Sequence, residues 1–264
     1  MQFFKYNSSG NDFIIIDNRE NIFDIKKQHI QRLCDRNFGV GADGFILLQS
    51  DKDANYFMNY FNSDGAPASF CGNGSMCCGH FAHSLGILNK GIDFSEGFFK
   101  TREGTFSVFV RSNTVSISMP DVSEIKQHGA NFIIDTGSPH YIIYKDNVES
   151  VDVFHEGMQI RSSEEFRPKG VNVTFIQRRD EEVFIRTYER GVEAETLSCG
   201  TAVVAAAISI FKSSNNTLDK VVSTTIKTRG GLFHVKFKYD SKNQAFIDIF
   251  LSNQVNMVFE GDVS

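Results

Sequence analysis

Cys71-Gly72-Asn73-Gly74-Ser75-Met76-Cys77-Cys78-Gly79 and Cys199-Gly200-Thr201-Ala202-Val203-Val204-Ala205-Ala206-Ala207 decide the reading of this chain. Each stretch begins with a Cys-Gly step and runs on in residues apolar on most faces. The pattern predicts helices over about Asn73 to Leu85 and Thr201 to Phe211. Asn73 and Thr201 are suitable N-cap types, and a helix apolar all round is a buried one. Ahead of each Cys-Gly step a strand ends in a polar loop: Met58 to Phe61 before Asn62-Ser63-Asp64-Gly65, and Val183 to Tyr188 before Glu189-Arg190-Gly191.

Working outward, one shift of 128 residues carries Cys71 onto Cys199, Gly72 onto Gly200 and Tyr60 onto Tyr188. The same shift lays Gly10–Ile16 on Ser138–Tyr144, and Phe45–Gln49 on Val173–Gln177. Self-similarity at a fixed period signals duplication. Short Phe/Ile/Val strands with Gly/Asn/Asp turns fill both copies, and more strands follow each helix over Thr105 to Met119, Val221 to Tyr239 and Ala245 to Leu251. The expected fold is therefore α+β. It has two pseudo-symmetric halves, each a rolled, barrel-like sheet around a central helix, with the active site in the cleft between them. Met119-Pro120-Asp121 marks the boundary, giving halves of 1–119 and 120–253.

Bulk properties agree. A chain of 264 residues fits two modest domains. The formal net charge of -5 lacks the basic footprint of a nucleic-acid binder. The longest apolar run, Ala202 to Ile208, is too short to cross a bilayer. The start, Met1-Gln2-Phe3-Phe4-Lys5, has no long apolar leader, and five cysteines without a CxxC pair do not form a disulfide framework. The expectation is a cytoplasmic protein with reduced thiols and no metal.

A cysteine just before a helix feels the positive end of the helix dipole, which favours the thiolate. The following glycine lets a ligand approach the backbone, and the first-turn N–H groups suit a carboxylate. Two such elements, related by the repeat, would face each other across the interface between halves. One thiolate would then remove a proton from one face of a carbon while the opposite thiol returned one, each within about 3 Å. The backbone donors would stabilise charge on the carboxylate. No cofactor is needed. Cys34, Cys77 and Cys78 read as small buried hydrophobes. A Cys71–Cys199 disulfide would close the space for substrate and reads as an inactive oxidised form.

The wider motifs carry a family resemblance. Gly10-Asn11-Asp12-Phe13, Gly39-Val40-Gly41-Ala42-Asp43-Gly44, Phe61-Asn62-Ser63-Asp64-Gly65 with Cys71-Gly72-Asn73-Gly74, Gly170-Val171-Asn172-Val173, Tyr188-Glu189-Arg190-Gly191 and Glu195-Thr196-Leu197-Ser198-Cys199-Gly200-Thr201 occur in order over nearly the whole chain. Together they resemble the diaminopimelate epimerase family. That resemblance implies interconversion of LL- and meso-2,6-diaminoheptanedioate without pyridoxal phosphate or metal, in lysine and peptidoglycan precursor synthesis. It implies Cys71 and Cys199 as the acid/base pair. Gly72, Asn73, Gly200 and Thr201 would hold the reacting carboxylate, and Asn11, Asn62, Asn172 and Arg190 the distal end. Glu189 and, in support, His140 would stand beside the reacting centre. It also implies that residues 254–264 return to the first half, and a homodimer. A guanidinium fork suits a distal carboxylate.

Three positions depart from the family pattern. Ser138 stands where Asn is usual, Ala202 where Gly is usual, and Asn253-Gln254 where Gly-Pro is usual. Two other readings compete. One is a cofactor-independent racemase of proline, hydroxyproline or a basic amino acid, for which a monocarboxylate would leave Arg190 without its partner. The other is a non-catalytic thiol or metal-binding protein, for which no third and fourth ligands are evident. A cysteine hydrolase would leave the second Cys-Gly-helix element unexplained.

Overall fold

The computed structural model describes residues 1–23, 26–68, 70–167, 169–180, 182–214 and 219–263. The chain divides into two compact units, Met1–Ser118 together with the segment from Ser252 onward, and Met119–Leu251.

The first unit contains β1 (Gln2–Ser8), β2 (Asn11–Asp17), α1 (Lys27–Cys34), β3 (Gly44–Gln49), β4 (Tyr56–Asn62), α2 (Gly72–Ser84), β5 (Asn89–Lys90), β6 (Ser95–Thr101), β7 (Gly104–Arg111) and β8 (Thr114–Ser118). β1–β2 is antiparallel, β2–β3 parallel, β3–β4 antiparallel, β4–β6 parallel, and β6–β7 and β7–β8 antiparallel. β3, sequence GFILLQ, is buried along almost its whole length. Such a continuous apolar run suits a strand covered on both faces. One face is covered by α2, which packs against β1, β2, β3, β4, β7 and β8, and on the other Phe45 and Leu47 cluster with Ile30 and Cys34 of α1. The approach of α2 is close at Gly79, where a Cβ would lie 2.6 Å from Val108 Cγ2.

The second unit contains β9 (Ile125–His128), β10 (Asn131–Asp135), β11 (Pro139–Tyr144), α3 (Val153–Arg161), β12 (Asn172–Arg179), β13 (Glu182–Glu189), β14 (Ala194–Thr196), α4 (Gly200–Ser213), β15 (Lys220–Lys227), β16 (Leu232–Asp240) and most of β17 (Ala245–Gln254). β18 (Asn256–Asp262) belongs to the first unit and pairs antiparallel with β1. β10–β11 is antiparallel, β11–β12 parallel, β12–β13 antiparallel, β13–β15 parallel and β15–β16 antiparallel. This is the order of pairings found in the first unit. Along β16, Phe233, Val235, Phe237 and Tyr239 are buried while the residues between them are exposed, the period of two of a half-buried strand. α4 packs against β10, β11, β12, β13, β15 and β16. At its end Phe211 meets Phe237, Tyr239 and Phe246, with ring centroids 4.9–5.8 Å apart.

The expected α+β class with two similar halves, each a sheet about one central helix, is borne out. The helix starts differ from expectation. The N-caps are Cys71 and Cys199 themselves, in extended conformation, so α2 and α4 each begin one residue earlier, at Gly72 and Gly200. In α2 the reason is visible: Cys71 Sγ accepts from the Gly74 N–H at 3.4 Å, the role a Ser or Asp side chain usually plays. Among the described residues, no helix is long and apolar enough to cross a membrane.

Candidate active site

In the first unit Cys71 is half-buried where the polar loop after β4 enters α2. Its sulfur faces hydrogen-bond donors, the Gly74 N–H and, at 3.9 Å, Asn11 Nδ2 from the start of β2. The first ladder bond of α2 is Ser75 N–H to Cys71 O at 2.8 Å, so the amides of Gly72 and Asn73 stand ahead of it, where helix N–H groups point outward. Asn62 is exposed at the end of β4, and its backbone closes a turn by accepting from Gly65 N and donating to Ala66 O. Beneath Asn11 lies a charged brace. Asp12 pairs with Lys5 at 2.6 Å and with Arg36 at 2.7 Å, and Arg36 also reaches Asp43 at 2.8 Å. Burial would raise the Asp12 carboxyl, but Arg36, Lys5 and Asp43 hold it well below the usual carboxylate range. Asp43, partly desolvated and set beside the Asp12 charge, is pushed up.

In the second unit Cys199 is buried at the start of α4, and its surroundings differ. Its sulfur lies 3.3 Å from Thr201 Oγ1 and also hydrogen-bonds the Glu189 carboxyl at the end of β13. Glu189 further accepts a short hydrogen bond from Thr196 Oγ1 on β14. Removal from bulk water raises the Glu189 carboxyl above its ordinary value, and the bonds from Thr196 and Cys199 oppose that rise. Thr201 Oγ1 continues to His140 Nε2 at 2.9 Å, and His140 Nδ1 to Thr174 Oγ1 at 3.4 Å. Burial, with the Arg190 charge added, lowers His140 to about 3, so the ring is neutral at pH 7. The first ladder bond of α4 is Val203 N–H to Cys199 O at 3.0 Å, which leaves the amides of Gly200 and Thr201 ahead of it.

Asn172 ties this unit's polar residues together. Its Nδ2 donates to Ser138 Oγ at 2.8 Å and Pro139 O at 3.1 Å, while its Oδ1 accepts from the Arg190 N–H at 2.9 Å. Ser138, a departure from the family pattern, thus orients Asn172. Arg190 is exposed, with Nη1 on Lys169 O at 2.8 Å. Ala202 is buried in the first turn of α4, and Asn253 accepts from the Gln254 N–H and donates to Ser9 Oγ.

The first unit therefore gathers Cys71, Gly72, Asn73 and Asn11, with Asn62 at the end of β4. The second gathers Cys199, Gly200, Thr201, Glu189, His140, Asn172 and Arg190. Sequence reasoning passed over Thr196 and the Lys5–Asp12–Arg36–Asp43 brace, and marked Ser138 only as a departure from the family pattern. Thr196 and Asp12 lay inside the family motifs, three residues from Cys199 and one from Asn11, but nothing in their type marked them. The other three cysteines are buried, and burial raises each thiol, Cys34 to about 12 and Cys77 and Cys78 well above the usual thiol range. None of the five cysteines is in a disulfide. Among the described residues, no group of three or more His, Cys, Asp or Glu side chains is placed to hold a metal ion.

Comparison with known proteins agrees with the motifs. A sequence model of the diaminopimelate epimerase family matches residues 3–123 and 132–255. The diaminopimelate epimerase of Flavobacterium psychrophilum is 40% identical over 265 residues, covering 98% of this chain and 99% of that protein. That of Aquifex aeolicus is 37% identical, covering 100% and 98%. Among solved structures, a Bacillus anthracis phenazine biosynthesis protein of the PhzF family aligns with a TM-score of 0.77 at 15% identity, covering 100% of this chain and 99% of that one. A hydroxyproline epimerase from Agrobacterium vitis aligns with a TM-score of 0.71 at 13% identity, covering 99% and 91%. At such identities these structures speak for the fold alone. The ordered motifs, the full-length match and the close relatives agree: the chain belongs to the diaminopimelate epimerase family.

Proposed function

We propose that this chain interconverts LL- and meso-2,6-diaminoheptanedioate by passing a proton between two cysteine sulfurs. Membership of the family makes it an isomerase. The observation that carries the mechanism is the placing of a cysteine thiol, not in a disulfide, as N-cap of the central helix in each unit, 128 residues apart. One thiolate takes the α-proton, the electron pair left on carbon delocalises into the α-carboxylate, and the other thiol delivers its proton to the opposite face. Thiolate and thiol end exchanged, so charge and protons balance. The amides of Gly72, Asn73, Gly200 and Thr201 carry the charge that develops on the carboxylate. The hydrogen-bond donors around Cys71 suit a sulfur anion, and the carboxyl of Glu189 suits a protonated Cys199. Asn11, Asn62, Asn172 and Arg190 hold the distal amino-acid end, and His140, kept neutral, orients Thr201.

The chemistry needs both sulfurs reduced, which suits the cytoplasm, and the product serves lysine and peptidoglycan precursor synthesis. A homodimer is proposed through β18, where Met257, Val258 and Phe259 are exposed. Exposed apolar residues on a strand paired at β1 invite a second chain.

The test is a chiral, mass-resolved assay with LL-diaminopimelate in D2O and no added cofactor. Meso product should carry one solvent deuterium at the inverted carbon, and Cys71→Ala and Cys199→Ala should each abolish turnover in both directions while far-UV circular dichroism persists. Substantial activity in either variant, or product without deuterium, overturns the two-sulfur scheme.

A further inference from the structure

We infer that Glu193 is a positioning residue that holds the turn presenting Glu189 and Arg190; the inference rests on the proposed role of Arg190 at the distal end of the substrate. Glu193 adopts a left-handed backbone conformation, φ 57°, uncommon for a residue with a side chain. Its own N–H donates to Glu189 O at 2.8 Å. Its Oε1 accepts from the Gly191 N–H at 3.0 Å and from Arg161 Nη2 at 3.1 Å, and its Oε2 accepts from Tyr188 Oη at 3.2 Å. One carboxylate thus ties together the residue before the turn, a residue within it and a cation from α3. The Gly191 N–H above all, then Tyr188 and Arg161, hold the Glu193 carboxyl below its ordinary value.

The placing of Arg161 explains why a carboxylate stands here. A Cβ on Gly170 would lie 2.8 Å from Arg190 Cδ and 2.9 Å from Arg161 Cζ, so both arginines press on the same glycine. Two guanidinium groups so near repel, and Glu193 neutralises the one that does not face substrate. Arg190 is otherwise fixed by its N–H on Asn172 and by Nη1 on Lys169 O. Glu189 has separate anchors in Thr196 and Cys199. Loosening the turn should therefore displace Arg190 far more than Glu189, and weaken binding more than chemistry.

The experiment compares Glu193→Ala, Glu193→Gln and Arg190→Ala in the full chain, by epimerisation kinetics and by amide hydrogen exchange. Glu193→Ala is expected to raise KM for diaminopimelate about tenfold with kcat within about threefold, and to speed exchange about tenfold in the peptide covering 189–193 only. Glu193→Gln keeps an oxygen acceptor for Gly191 and Arg161, and is expected to return KM to within about threefold of the parent. The inference is overturned if Glu193→Ala leaves KM or the local exchange unchanged, or if kcat falls as much as KM rises. Arg190→Ala separates the causes of failure. If it raises KM while Glu193→Ala does not, positioning by Glu193 is wrong and Arg190 stands. If neither raises KM, the distal role of Arg190 is wrong and the inference falls with it.

Discussion

Replacing Glu195 with alanine should destabilise the second unit by about 3 kcal/mol. Glu195 sits on β14, four residues before Cys199, and its carboxylate receives Arg186 Nε and Nη2 at 2.7 Å each. Both side chains are only 14% exposed, so water cannot replace the lost partner. Breaking a buried pair on one side typically costs about 3–5 kcal/mol. The lower end applies because Arg186 Nη1 still donates to the carbonyls of Val148, Glu149 and Val151. Arg229 also reaches Glu195, at 3.2 Å, but it is half exposed and adds little. At roughly 2–4 °C per kcal/mol for a chain of this size, Tm should fall by about 6–12 °C. The assay is urea unfolding followed by far-UV circular dichroism, since the chain has no tryptophan. Burial alone would raise the Glu195 carboxyl, but Arg186 and Arg229 more than offset this and hold it below its ordinary value. Its stabilisation is therefore complete above the unfolded value of about 4.3 and drains away as pH falls below it. Glu195→Ala should flatten that acid limb. A loss under about 1 kcal/mol with an unchanged m-value, or an unaltered acid limb, would refute the reasoning.

His140 binds its proton far more weakly folded than unfolded, so the native state should lose up to about 1.4 kcal/mol per pH unit as pH drops from about 6. His140→Gln should remove that slope, and an unchanged slope in pH-dependent urea titrations would contradict it. Asp12→Ala strands the buried Lys5 cation and should cost the first unit about 3 kcal/mol; equal urea midpoints for the variant and its parent would contradict this. Phe211→Ala empties the junction of Phe237, Tyr239 and Phe246 and should cost about 3–5 kcal/mol, with a loss below about 1 kcal/mol counting against the packing described.

The duplicated helices were legible because each is apolar all round and begins after a Cys-Gly step, so type and position were fixed by pattern. Their caps were misread because the rule that favours Ser, Thr, Asp and Asn overlooks cysteine: in α2 the Cys71 sulfur accepts from the Gly74 amide, and in α4 Cys199 caps through its extended backbone with no side-chain cap bond. α1 and α3 went unread. Each is short and buries only two residues, Ile30 and Cys34 in α1 and Val153 and Gly157 in α3, too few for a periodic signal. The candidate site residues were named from the ordered motifs. Thr196 and Glu193 were not singled out, and Ser138 was marked only as a departure from the family pattern, because they act by hydrogen bonds to neighbours that no spacing rule connects. The parallel pairings β2–β3 and β11–β12 likewise depend on crossovers that strand periodicity does not encode.

The first unit is assembled from both ends of the chain, whereas the second is continuous. During synthesis β1 is made early, yet its partner β18 leaves the ribosome only after every strand of the second unit. One edge of the first sheet therefore waits, open, while the continuous half can already close around α4. Loop closure across more than two hundred intervening residues, as in Phe3 opposite Gly261, is slow compared with hairpin formation. The half that carries Cys199 is thus the natural first folder, and the half that carries Cys71 finishes with the final strand.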